Sequence, residues 1–132
     1  MAKRGAGRPT DAELAILRVL WRLGPSTVRQ VQEALEESQP TGYTTALKLL
    51  QIMATKGLVD RDESQRSHVY RARLGEDETQ KQLVSDLMER AFGGSAQRLV
   101  MQALASKRST PAELDAIRRL IDELEEIGRA HV

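Results

Sequence analysis

Tyr43, Thr44, Thr45 and Lys48 place three hydroxyls and one cation within a short stretch that contains no aspartate or glutamate. Groups of this kind donate to phosphate oxygens and to the edges of bases, whereas a carboxylate among them would repel a nucleic-acid backbone. A second set of cations lies further along, with Arg66 inside the polar run SQRS and Arg61, Arg71 and Arg73 on either side of it. These could touch phosphates or a minor groove. For Arg61 and Arg71, pairing with Asp60, Asp62 or Glu63 is an equal alternative, which leaves Arg66 as the strongest candidate of the group. At the N-terminus, Lys3, Arg4 and Arg8 sit among small and helix-breaking residues and read as a basic arm over residues 1–9.

Catalytic chemistry is poorly supplied. With no cysteine in the chain, thiolate metal sites, disulfides and cysteine nucleophiles are impossible, and the two histidines, His68 and His131, cannot build a metal site alone. His68 has no matched nucleophile or orienting group near it in sequence and reads as a surface residue. No glycine-rich phosphate loop is present either. The expectation is a protein without enzymatic activity, cofactor or metal.

Behind the hydroxyl-rich stretch stand elements that must hold it in place. Thr10 with Glu13, and Thr27 with Gln30, have capping-box spacing, so a helix begins after each. Leu14, Ile16, Leu17, Leu20 and Trp21 give the first helix an apolar face, and Gly24-Pro25 stops it. Val28, Val31 and Leu35 supply the second, which should end near Glu37. Thr41 is the expected cap of a third helix whose inner stripe is Ala46, Leu47, Leu50, Met53 and Ala54, with Tyr43, Thr44, Thr45, Lys48 and Gln51 facing outward. From Leu58 the period shortens to two: LVDRDE, the polar tip SQRS and HVYRARL read as a β-hairpin needing a helical layer beneath it.

The rest is helical. Leu83, Val84, Leu87, Met88 and Ala91 share one face until Phe92-Gly93-Gly94 breaks it, and a shorter helix carries Leu99, Val100, Ala103 and Leu104. Thr110, Pro111 and Glu113 then combine a cap, a proline in the first turn and a capping-box acid. Behind them Leu114, Ile117, Leu120, Ile121, Leu124 and Ile127 present more apolar surface than one helix can hide. Charge divides along the same line: residues 1–74 carry 12 Lys+Arg against 8 Asp+Glu, and the remainder 8 against 11. A basic half that meets nucleic acid and a second half with another task fit that asymmetry. At 132 residues the chain holds one domain or a domain with an appendage. No apolar run is long enough to span a membrane, and Glu13 interrupts the early apolar stretch, so a cytoplasmic location is expected.

Helix, helix, short turn, helix and two-stranded hairpin is the order of a winged helix-turn-helix, whose third helix enters the major groove. The expected class is therefore mostly α with a small antiparallel hairpin, residues 10–74 binding DNA and residues 75–128 forming a helical dimerisation region. A module in which the winged helix is only structural and the acidic half binds a protein partner is the competing expectation.

GRPTDAELAILRVLW, STVRQVQEAL, YTTALKLLQIMATKGLV and the hairpin ending in YRARL resemble the penicillinase and methicillin-resistance repressor family. LMERAFGGSAQRLVMQALA and TPAELDAIRRLIDELEE are similar to that family's dimerisation region. The resemblance implies a homodimeric repressor of antibiotic-resistance genes on a dyad-symmetric DNA operator, with Tyr43, Thr44, Thr45, Lys48, Arg66 and Arg8 toward DNA. It implies a dimer seam through Leu114, Ile117, Leu120, Ile121 and Leu124. Release would follow cleavage triggered by a membrane sensor protease. Two departures are visible: the copper-responsive members' cysteine-rich site cannot exist here, and their β-lactam-responsive relatives' Asn-Phe cleavage pair is replaced by Gln102 and Ala103.

Overall fold

The computed structural model describes residues 8–130, so Lys3, Arg4 and His131 lie outside the described residues. The chain divides into two compact units, Met1–Ser85 and Asp86–Val132.

In the first unit, α1 (Asp11–Leu23) starts at the Thr10–Glu13 capping box, with the Glu13 amide donating to Thr10 Oγ1 at 3.2 Å and the Thr10 amide to Glu13 Oε1 at 3.0 Å. Gly24 ends it at φ 85°, a conformation that side chains with a Cβ rarely adopt. Next come β1 (Ser26–Thr27) and α2 (Val28–Leu35), which opens on the Thr27–Gln30 box. α2 stops at Leu35, short of the expected Glu37, because Glu36 leaves the i−4 ladder and its amide bonds Glu33 O at 3.2 Å instead. α3 (Tyr43–Lys56) is not capped by Thr41 as expected. Thr41 Oγ1 donates to Gln39 O at 2.7 Å, and Gly42 occupies the cap with no side-chain bond. α3 closes on Gly57, left-handed at φ 85°, ψ 14°.

β2 (Val59–Asp62) and β3 (Val69–Ala72) form the anticipated hairpin, with Arg61 opposite Tyr70. The sheet nevertheless has three strands in the order β1-β3-β2, because Ser26 and Thr27 pair with Tyr70 and Val69. β1 joins the α1–α2 corner to the wing.

Beneath the sheet the helices close a core: Ile16, Leu17, Val19 and Leu20 from α1, Val31 and Leu35 from α2, Ala46, Leu50 and Met53 from α3, and Tyr70 from the wing. Burial of such side chains is the main favourable term holding the unit together. Trp21 packs at its edge, its indole donating to Leu74 O at 3.0 Å. Glu13 is buried too, and its Oε1 also accepts from Lys56 Nζ at 2.7 Å, fastening the start of α1 to the end of α3.

α4 (Glu76–Ala91) ends at Gly93 and Gly94, both at positive φ, where the Gly94 amide donates to Met88 O at 2.9 Å. In the second unit, α5 (Ala96–Ser106) is capped by Ser95, and α6 (Pro111–Ala130) by the Thr110–Glu113 box at 2.9 and 3.1 Å. Neither α5 nor α6 has a buried residue. No helix among the described residues is long and apolar enough to cross a membrane.

Candidate nucleic-acid interface

Core packing decides which side of α3 faces solvent. Since Ala46, Leu50 and Met53 are buried, helical periodicity sends Thr44, Lys48, Gln51, Ile52 and Thr55 the other way, and all five are exposed. Thr45 and Tyr43 are exposed on the two flanks. No acidic residue occurs anywhere on α3. A continuous face of donors, one cation and one branched apolar side chain therefore lies open over three turns. Ile52, which the sequence reading did not single out, adds an apolar group that could meet a thymine methyl.

Tyr43 is not alone at the start of this helix. The Arg29 guanidinium, from the first turn of α2, lies over its ring with 5.8 Å between the guanidinium carbon and the centroid. Sequence spacing could not reveal this contact, because the two residues belong to different helices. Among the described residues no ion pair engages Arg29, Lys48 or Arg66.

On the wing the cations separate into two groups. Arg61 is paired with Glu63, as anticipated. Arg73 is paired as well: both its Nε and its Nη2 donate to Asp60 Oδ1, at 3.0 and 2.6 Å, and this hydrogen bond holds the Asp60 carboxyl below its usual range and raises Arg73. Asp62 is lowered mainly by the Ser64 amide, which donates to it at 2.9 Å and shapes the tip. Arg71, for which pairing was an equal expectation, makes no ion pair among the described residues and acts on Asp60 and Asp62 only through space. Arg66 and His68 stand exposed at the tip and its flank. Among the described residues Arg66 and Arg71 are thus the wing cations outside an ion pair, while Arg61 and Arg73 each hold an exposed one.

Arg8 is exposed, and its carbonyl accepts from Lys56 Nζ at 3.5 Å, so the root of the N-terminal arm lies at the C-terminal end of α3.

In the second unit, Leu114 and Ile117 are half-buried, while Leu120, Ile121, Leu124 and Ile127 retain 50–57% of their accessible surface. On α5, Val100, Met101 and Leu104 are exposed, and Gln102 and Ala103 lie exposed within the helix. Among the described residues no group of three or more His, Cys, Asp and Glu side chains could hold a metal ion.

The family model described as "Penicillinase repressor" matches residues 9–123. The "Transcriptional regulator BlaI" of Mycobacterium tuberculosis, in two strains, is 38% identical over 117 residues, covering 87% of this chain and 83% of the relative. Among solved structures, the DNA-binding domain of the repressor BlaI aligns with a TM-score of 0.48 at 23% identity, over 55% of this chain and 92% of its own. The monomeric form of Bacillus licheniformis BlaI in complex with the blaP half-operator aligns with a TM-score of 0.48 at 22% identity, over 55% and 88%. By the extent of the family match and by the mycobacterial relative, the chain belongs to the penicillinase repressor family.

Proposed function

We propose that this protein is a sequence-specific DNA-binding transcriptional repressor that acts as a homodimer on a palindromic operator in the cytoplasm. The observation that carries the reading is the outer face of α3, open, acid-free and furnished with Tyr43, Thr44, Thr45 and Lys48 on a winged-helix scaffold. Residues 10–74 are assigned the DNA contact, with Arg66 and, from the arm over residues 1–9, Arg8 toward phosphates, and residues 75–128 the dimer. Family membership supports the repressor role, and the open apolar surface of α6 supports self-association.

A mobility-shift titration on the fragment upstream of its own gene tests this. Binding that survives excess random DNA, on a site with two symmetric halves about 10 base pairs or a multiple apart, is the expected result. No binding even at low salt would overturn it and favour a protein partner for the acidic half.

Control of β-lactam-response genes, with release by a membrane sensor protease, is the derepression route that family membership supports. The bond would be that between Gln102 and Ala103, and cutting α5 there would detach α6 and its apolar seam. One-site monomers would then lose the benefit of linked binding. Immunoblots before and after β-lactam exposure should show a fragment ending near Gln102; an intact chain in derepressed cells would overturn this route.

A further inference from the structure

Arg29 is the feature of the first unit that neither the helix-turn-helix pattern nor the wing accounts for. It sits exposed in the first turn of α2, a turn with no acidic residue. Glu33 lies four residues further on, in the less favourable order of base before acid, and no ion pair engages Arg29 among the described residues. Its guanidinium lies instead over the ring of Tyr43, the first residue of α3.

The chemistry of that arrangement is directional. A cation–π contact at 5.8 Å draws on the charge of the guanidinium and uses none of its five N–H donors as a hydrogen bond, so they remain available to an acceptor. A planar fork of donors suits a phosphate better than an ammonium does. Holding the guanidinium against a ring also restricts a long side chain before any partner arrives, which lowers the entropy lost on binding. Lys48, on the open face of α3, has no such support.

The geometry points to a composite phosphate clamp at the entrance to α3, in which Arg29 donates to a DNA phosphate beside each half-site and Tyr43 is the positioning residue that holds it there. This rests on the DNA-binding reading above and adds to it a contact residue on α2 and a role for the Tyr43 ring distinct from base recognition by its hydroxyl. Arg29 should therefore contribute affinity on any duplex, with little preference for sequence.

The test uses the full-length protein and fluorescence anisotropy on two duplexes, one selected by the wild-type protein from a random pool and one of scrambled sequence, over a range of potassium chloride concentrations. Arg29→Gln should weaken both complexes by a similar factor, about tenfold for a dimer that loses two charged contacts. The slope of log affinity against log salt should become shallower by about 0.9 per subunit. Tyr43→Phe keeps the ring and should keep the wild-type salt slope and the wild-type affinity for the scrambled duplex, any loss from its hydroxyl being confined to the selected one. On the scrambled duplex Tyr43→Leu should weaken binding in the direction of Arg29→Gln, and the double variant Arg29→Gln/Tyr43→Leu should be no weaker than Arg29→Gln alone, since the ring acts through the guanidinium. Arg29→Lys, which keeps the charge without the planar fork, should retain most of the salt slope and recover part of the affinity. Circular dichroism matching wild type confirms that these exposed substitutions leave the fold intact. An unchanged salt slope in Arg29→Gln, or additive losses in the double variant on the scrambled duplex, would overturn the clamp while leaving the DNA-binding reading standing. A wild-type protein that enriches no duplex would overturn that reading itself, and the clamp with it.

Discussion

The two compact units solve the problem of apolar surface in opposite ways. In the first, three helices and a short sheet bury one another's apolar side chains, and Ile16, Val31, Ala46, Leu50 and Met53 retain no accessible surface. In the second, α5 and α6 bury no residue, and Leu120, Ile121, Leu124 and Ile127 keep half or more of theirs. The sequences of the two regions look alike in this respect, since both have apolar stripes at helical spacing. What differs is whether the chain itself supplies the opposing surface. A stripe that finds its complement within the chain makes a core; one that does not becomes an exposed patch awaiting a second surface. The proposed homodimer would seat its second copy on the exposed stripe of α6, and the proposed DNA contact would use the closed unit as a rigid platform.

The sharpest way to break this contrast is to remove the same chemistry from both sides. Leu50→Ala empties a fully buried site and should cost about 2–5 kcal/mol, read as a lower urea midpoint that does not depend on protein concentration. Leu124→Glu should leave the first unit's unfolding unchanged but yield monomers by light scattering, and operator affinity should fall roughly a hundredfold as linked binding is lost. If truncated residues 1–74 were still dimeric, the assignment of the seam to the second unit would be wrong. A smaller effect is expected at the α3 face, where Thr44→Ala or Thr45→Ala should cost about 1–3 kcal/mol on the operator and less on random DNA if the hydroxyl reads a base. An equal loss on both would assign that hydroxyl to a phosphate.

The smallest effect concerns the wing. Asp60 is held below its usual value of 3.8 by the hydrogen bond from Arg73, so the pair contributes stability above that value and loses it as pH falls through the lowered one. Asp60→Asn should flatten a shallow loss of stability confined to pH below about 4, shallow because an exposed pair is screened by solvent. An identical acid limb in the variant would show that the pair contributes nothing to the wing.

Much of the scaffold was legible because its signals are local. Thr10 with Glu13, Thr27 with Gln30 and Thr110 with Glu113 are three residues apart, and a side chain at that distance can reach a backbone amide whatever the rest of the chain does. The acid-free outer face of α3 was legible for a similar reason, since helical periodicity separates Thr44 and Lys48 from Ala46, Leu50 and Met53. Thr41 misled because a threonine near a helix start has competing backbone partners, and it took Gln39. β1 escaped notice because two residues carry no periodicity; Ser26 and Thr27 become a strand only when β3 is laid beside them.

The sequence by itself determined where α1, α2 and α6 begin, which stripes are apolar, that a hairpin follows α3, and that cysteine chemistry is excluded, because each depends on residues that are near neighbours or simply absent. Only the tertiary structure decided that Glu13 pairs with Lys56, that Arg73 pairs with Asp60 while Arg71 makes no ion pair among the described residues, and that the Arg29 guanidinium lies over the Tyr43 ring. A charged side chain's partner is the group that folding brings within a few ångströms, and the choice among many acids and rings is made by the packing of helices and strands distant in sequence.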